Sequence, residues 1–409
     1  MPEPILIRAA TARFTTVDLD HPLVLAGGTV RAVTMARVRL TADGTGGPGP
    51  RGVGASMLSV PWSWPGGHWA ERDDAMRSLV TDLTAVIAGQ SLADPFRSWL
   101  GLCRAAAGFA PSMPALARLL CAAAVDNALH DLWSLATGRP LAELYRPEFV
   151  GSVLAELTGA PLQQVPVAYG WRTSLPVQFV LGLDDPVDAL RHAIRTTGVR
   201  HAKVKLAGHP DSDRARIAQL AGILPPDGSI SLDPNEGYAD VDALAALWSV
   251  TAQRHPAVWA QVRYAEQPVP RDGGLDLRPL RELPARVPIL LDEGLTDPAA
   301  LPGLFELGWD GVVVKASKGQ SHSLLCHAYA RAHSKPVVLQ DLTAVDLALV
   351  HSAGLAAMLP LDHPAFECNS LQYAPAANHA VAPALTTIRD GRVSVRPEPG
   401  LGLYGGPSS

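Results

Sequence analysis

Short apolar runs rich in Val, Ile and Leu recur along the middle of the chain, each ending on a polar residue and each followed by an Ala/Leu-rich stretch of helical period. A strand buried on both faces reads as a continuous apolar run, so this texture predicts βα units around a parallel sheet. Eight strand ends can be placed, at Tyr169, Lys205, Asp233, Glu266, Asp292, Lys315, Gln340 and Glu367. Eight units of about 30 residues each fit a (β/α)8 barrel of about 250 residues. An open doubly wound sheet is the competing arrangement, but no strand leads into GxGxxG or GxxxxGK[ST].

The flanking regions read differently. Val30 to Thr41 alternates as a strand, and the Gly/Pro-rich stretch from Thr45 to Val60 reads as a loop. With Trp62, Trp64 and Trp69 close by, that loop is a candidate flap. Helical patterns cover Asp73–Gly89 and Ala115–Gly138, the second stopped by Gly138 with Pro140 just beyond. Gly170 to Pro186 reads as a long loop that could reach over the pocket, and Trp62, Trp64, Trp69, Trp171 and Arg172 are candidate substrate contacts. Near the end, Asp390-Gly391 sits between Leu385–Ile388 and Arg392–Val395 as the turn of a hairpin. The expected fold is α/β: a (β/α)8-type, TIM-like barrel over 165–372 with an α+β capping domain. Residues 1–164 form the cap, and the tail, 373–409, returns to it.

Composition narrows the function. Of 409 residues 47% are hydrophobic, and 34 basic against 39 acidic side chains leave a net charge of -5. No basic run offers a nucleic-acid or membrane surface. Cys103, Cys121, Cys326 and Cys368 have no CxxC spacing, which argues against a disulfide framework or zinc knuckle. Without a signal-like N-terminus or a long apolar span, the expectation is a cytoplasmic protein acting on small molecules.

The chemistry lies in the strand ends. Consecutive strands end on Lys203/Lys205, Asp233, Glu266, Asp292 and Lys315, and barrel strands aim such ends at one pocket. Three carboxylates suit a hard cation such as Mg²⁺. That cation would stabilise the second negative charge that appears when a proton leaves the carbon beside a carboxylate. Lysines on the second and sixth strands face one another across a barrel and offer a base to each face of that carbon. Crowding, a nearby cation and burial are expected to lower their pKa values. Asp292 and Glu293 are adjacent, so only one of them should point inward. Lys318 is the alternative base to Lys315. Gln340, Asp341 and Glu367 are candidate substrate contacts. His322, His327 and His333 read as solvated helix positions.

The ordered set resembles the muconate-lactonising and mandelate-racemase branches of the enolase superfamily, whose members use Lys or His bases with Mg²⁺. Lys203-Val-Lys205, Asp233-Pro-Asn235, Glu266-Gln-Pro268, Asp292-Glu293 and Lys315 match its strand ends in order. Ala122 to Leu141 resembles the helix joining cap to barrel, Val165–Tyr169 its first barrel strand, and Pro399–Gly402 its C-terminal signature. The resemblance implies Asp233, Glu266 and Asp292 as Mg²⁺ ligands, Lys205 and Lys315 as acid/base pair, and Lys203 as support for the substrate carboxylate. It places Asn235 behind the ligands and implies a homo-oligomer. No histidine follows the seventh strand, which favours the two-lysine branch. The expected activity is an acid-sugar or hydroxy-acid dehydratase, a lyase, the preference resting on the polar ends of strands seven and eight. A racemase, epimerase or cycloisomerase shares the first step, and a non-catalytic metal-binding barrel is the alternative of another class.

Overall fold

A computed structural model describes residues 4–26, 28–43, 49–146, 155–156, 170–272, 275–378, 381–396 and 400–404. The first layer is an antiparallel sheet in the order β3-β2-β1-β4, built from β1 (Ile5–Leu25), β2 (Gly28–Ala42), β3 (Arg51–Leu58) and β4 (Ser91–Leu92). Helices Trp69–Ile87, Pro95–Phe109 and Ala115–Thr137 pack beside it. The third ends at Gly138 in the left-handed conformation, φ 65°, as the Gly-Arg-Pro stop predicts. β3 falls where the sequence suggested a loop. Its glycines serve close packing: a Cβ on Gly54 would lie 2.2 Å from the Ala128 amide nitrogen of the third helix.

The second layer is a parallel sheet of β5 (Ser174–Leu181), β6 (His201–Lys205), β7 (Ser229–Asp233), β8 (Val262–Glu266), β9 (Ile289–Leu291), β10 (Gly311–Val314), β11 (Val337–Leu339) and β12 (Phe366–Glu367). β12 pairs with β5, and a bridge between Val338 and His363 links β11 to the segment before β12, so the sheet curls into a nearly closed barrel. β6 and β10, four strands apart in a ring of eight, stand on opposite walls. No helix among the described residues is long and apolar enough to cross a membrane.

Three expectations change. Ser174–Leu181, read as loop, is the strand beside β6 and β12; Val165–Tyr169 lies outside the described residues. The Leu385–Ile388 arm is a short helix over Pro383–Thr386, and β13 (Arg392–Ser394) pairs antiparallel with barrel strand β5 rather than with the cap. Only further on does the tail meet the connecting helix, where the Gly402 amide donates to Ser134 Oγ at 2.9 Å. His322 and His327 are fully buried instead of solvated, because helix Gln320–Ala332 is covered from outside, His322 ring to ring with Trp99.

Candidate active site

Lys205, Asp233 and Glu266 close their strands, Asp292 and Lys315 follow theirs by one residue, and all five are buried. Burial of so many charges requires pairing, and the side chains interlock. Lys203 Nζ lies 2.6 Å from Glu367 Oε2, 2.9 Å from Glu266 Oε2 and 3.3 Å from Asp233 Oδ2. Lys205 donates to Asp233 Oδ2 at 2.6 Å and to Asn235 Oδ1 at 2.9 Å. Lys315 reaches Asp292 Oδ2 at 2.9 Å and Glu266 Oε1 at 3.5 Å. Lys318 sits 3.0 Å from Asp292 Oδ1 and donates to the Asp292 carbonyl at 2.5 Å.

The lysines, carboxylates and amides singled out at the strand ends from β6 to β12 come to this end of the barrel, with differences of detail; Trp171 and Arg172 do not. Asp292 and Glu293 both face in, since β9 stops at Leu291 and strand alternation stops with it. Glu293 Oε1 accepts from Asn235 Nδ2 at 2.9 Å and from the Trp62 indole at 2.8 Å. Gln340 donates to the Tyr264 hydroxyl. Asp341 is held by Ser352 Oγ at 2.8 Å and the Ala344 amide at 3.1 Å, and Glu367 accepts from Asn369 at 3.0 Å. Trp171 and Arg172 bind backbone carbonyls of Arg396, Ala356 and Leu359 and serve packing.

Electrostatics departs from the simple expectation for lysine. Burial pulls Lys203 and Lys315 down, but the carboxylates around them outweigh it and both rise above the ordinary lysine value. Lys318 is lowered, by burial first and by Lys315 against the pull of Asp292. Burial, with Asp233 and Asp292 against Lys203 and Lys315, raises Glu266 well above the carboxylate range. Glu293 is raised to about 7 by burial and by Asp292 and Asp233.

A cavity of about 30 Å³ opens among Lys203, Lys205, Asp233, Lys315 and Glu367 under a roof of Leu23, Leu25, Val30 and Trp62 from the cap. It holds about one or two waters, and the roof residues close it over in this conformation. The Trp62 ring lies 5.0 Å from Lys315 Nζ and 5.7 Å from Lys318 Nζ. Of the five candidate substrate contacts, Trp62 is the one that lines this cavity, while the roof leucines carried no signal in the sequence. Gln267, in the Glu-Gln-Pro motif, was likewise passed over. Its Oε1 accepts the Asp292 and Gly294 amides at 2.9 and 3.1 Å and fixes the end of β9.

Glu266 Oε2, both Asp292 carboxylate oxygens and Glu293 Oε2 are buried without a well-directed hydrogen bond, although ammonium groups lie close to the first three. Buried hard oxygens left unsatisfied are what a hard divalent cation takes up. Among the described residues no three such side chains already form a ligand shell, since Lys203 lies between Asp233 and Glu266, and Lys315 between Glu266 and Asp292.

Residues 185–404 match the family model described as enolase C-terminal domain-like. The chain belongs to the enolase superfamily. It resembles the mandelate-racemase and muconate-lactonising branch. It is 26% identical over 312 residues to a chloromuconate cycloisomerase of Pseudomonas sp. (strain P51), covering 75% of this chain and 70% of the relative. It is 28% identical over 322 residues to an L-Lys-D/L-Arg epimerase of Methylococcus capsulatus, covering 74% and 75%. Among solved structures, a dipeptide epimerase from Enterococcus faecalis complexed with Mg and dipeptide L-Leu-L-Tyr superposes with a TM-score of 0.69 at 17% identity, over 97% of this chain and 99% of that one. With a cycloisomerase and an epimerase as its relatives, this enolase-superfamily chain is an enzyme.

Proposed function

We propose that this enolase-superfamily enzyme removes the proton beside a substrate carboxylate and returns one to the opposite face, as a racemase or epimerase. The observation that carries the reading is that Lys205 and Lys315, from opposite walls, line one cavity. Each lysine serves one face: as the free amine it takes the proton, and as the ammonium it gives one back; the Asp292 and Glu266 carboxylates that raise Lys315 are those a bound cation would neutralise, which would favour the free amine. Asp233, Glu266 and Asp292 would hold Mg²⁺, which supplies positive charge against the second negative charge on the substrate. Asn235 orients Lys205 and Glu293 together. Lys203 binds three carboxylates and organises them, a different task from the substrate contact suggested by resemblance.

Elimination of water, the first expectation, loses its support. The polar groups at the ends of β11 and β12 that were to assist it are engaged by Tyr264, Ser352, Ala344, Lys203 and Asn369. The relatives named above are a cycloisomerase and epimerases.

The test is a panel of dipeptides, N-acyl amino acids, muconates and acid sugars incubated with Mg²⁺ in deuterated water. Deuterium uptake at the α-carbon with inversion supports the proposal. Lactone formation would make the protein a cycloisomerase, and loss of water would return it to the dehydratases; either overturns the reading.

A further inference from the structure

The turn after β10 carries Lys315 and Lys318, and its backbone is gripped group by group. Ser323 Oγ donates to the Lys315 carbonyl at 2.9 Å. Asn127 Nδ2 reaches the Ala316 carbonyl at 3.4 Å, and Ser56 Oγ the Ser317 carbonyl at 2.9 Å. The next free amides are taken from the same side: Gln320 N–H donates to Asn127 Oδ1 at 3.0 Å and Ser321 N–H to Asp126 Oδ2 at 2.8 Å. Gly319 between them has φ 101°, and a Cβ there would come within 2.8 Å of Asp126 Oδ2. Asp126 and Asn127 belong to the helix Ala115–Thr137 and Ser56 to β3, all three buried. Lys205 is held differently, by Asp233 and Asn235 at the end of the next barrel strand.

We infer that Asn127, with Ser56 and Asp126, is a positioning residue for Lys315 and not for Lys205. The first layer thereby sets the geometry of one of the two bases. Asn127 is central because its one amide spans the turn: Nδ2 binds a carbonyl at its start and Oδ1 an amide at its end, while Nδ2 is also tied to the Ala55 carbonyl at 2.8 Å. The lysine side chain is long, so a small tilt of the turn displaces its nitrogen by more. A misplacement of 1 Å at a reacting group can cost about 100-fold in rate. This rests on the two-base reading above.

The experiment compares wild type, Asn127→Ala, Asn127→Asp and the milder Ser56→Ala. Amide hydrogen exchange is read first, because it needs no substrate. Asn127→Ala should lose at least about tenfold protection over 316–321 and keep that over 229–236. Unchanged protection at 316–321 overturns the inference whatever the enzyme's reaction is. Next, α-proton exchange is followed from each enantiomer of the best substrate in the panel. Asn127→Ala should slow the Lys315 face, identified by its loss in Lys315→Ala, by about 10- to 100-fold and leave the other within about twofold. Asn127→Asp, which keeps the acceptor for Gln320, should recover part of the loss, and Ser56→Ala should fall between. Equal slowing of both faces would make Asn127 merely structural and also overturns it. Wild type that exchanges neither enantiomer defeats the two-base reading and, with it, a role confined to one base.

Discussion

Replacing Lys203 with Met tests how the buried charges are held. The ammonium touches three carboxylate oxygens at 2.6, 2.9 and 3.3 Å. At an effective dielectric constant of about 20, each contact is worth roughly 5–6 kcal/mol of Coulomb energy. Most of that is offset by the desolvation of the charges, and removing one partner of a buried set typically costs about 3–5 kcal/mol. An unfolding entropy of about 2.1 cal/mol/K per residue over 409 residues is roughly 0.9 kcal/mol/K. Lys203→Met should therefore lower Tm by about 3–6 °C in EDTA, read by calorimetry. The sign of the pH dependence follows. Lys203 holds Asp233 and Glu266 down, so its removal raises their pKa values in the folded state. A raised folded pKa gives stability that is present at low pH and lost as pH rises. The deficit should thus be larger at pH 8 than at pH 5. A drop below 1 °C at pH 8, or a deficit that grows toward acid, refutes the idea that Lys203 bears the cluster.

Three further outcomes follow from the same geometry. Trp62→Phe removes the indole donor to Glu293 and, at pH 8, above the value of about 7 to which Glu293 is raised, should cost about 1.5–3 kcal/mol, the range for a hydrogen bond to a charged group, a Tm loss of roughly 2–4 °C by the same conversion; no change would mean that Trp62 does not tie cap to barrel. Mg²⁺ at 100 times its Kd should stabilise the wild type by about 2.7 kcal/mol, and Asp292→Asn should erase most of that shift; an equal shift in both removes Asp292 from the ligands. Asp126 is raised to about 7 by burial, so its contribution is complete below the unfolded carboxylate value and is lost as pH rises through about 7. Asp126→Asn should remove that slope, changing the stability difference between wild type and variant by roughly 2–3 kcal/mol from pH 5 to pH 8 in denaturant titrations; parallel profiles contradict it.

Much of the barrel could be read along the chain for a physical reason. β6 to β12 are short and largely buried, and each has a charged or amide side chain at or just past its end. The strand that was missed, Ser174–Leu181, breaks that pattern with Pro176 and Gln178. Gln178 is tolerated inside because it donates to Ser231 Oγ on β7 at 2.8 Å, a partner that only the folded chain supplies. β3 was hidden by Gly52 and Gly54, which look like loop residues until the helix lying against them is seen. In the site, the lysines and carboxylates were visible because each, Lys318 apart, lies at or within two residues of the end of its own strand. Trp62 could be named only among five candidates, and Asn127 and the roof leucines not at all, because their roles depend on contacts far away in sequence, such as Trp62 to Glu293 and Asn127 to Ala316.

The central claim, two lysines serving opposite faces of one carbon, is tested most directly by α-proton exchange from each enantiomer of a substrate with Lys205→Ala and Lys315→Ala. Wild type should exchange both, and each variant should lose one face and keep the other, with the losses complementary. Both single variants exchanging both enantiomers at the wild-type rate would contradict it.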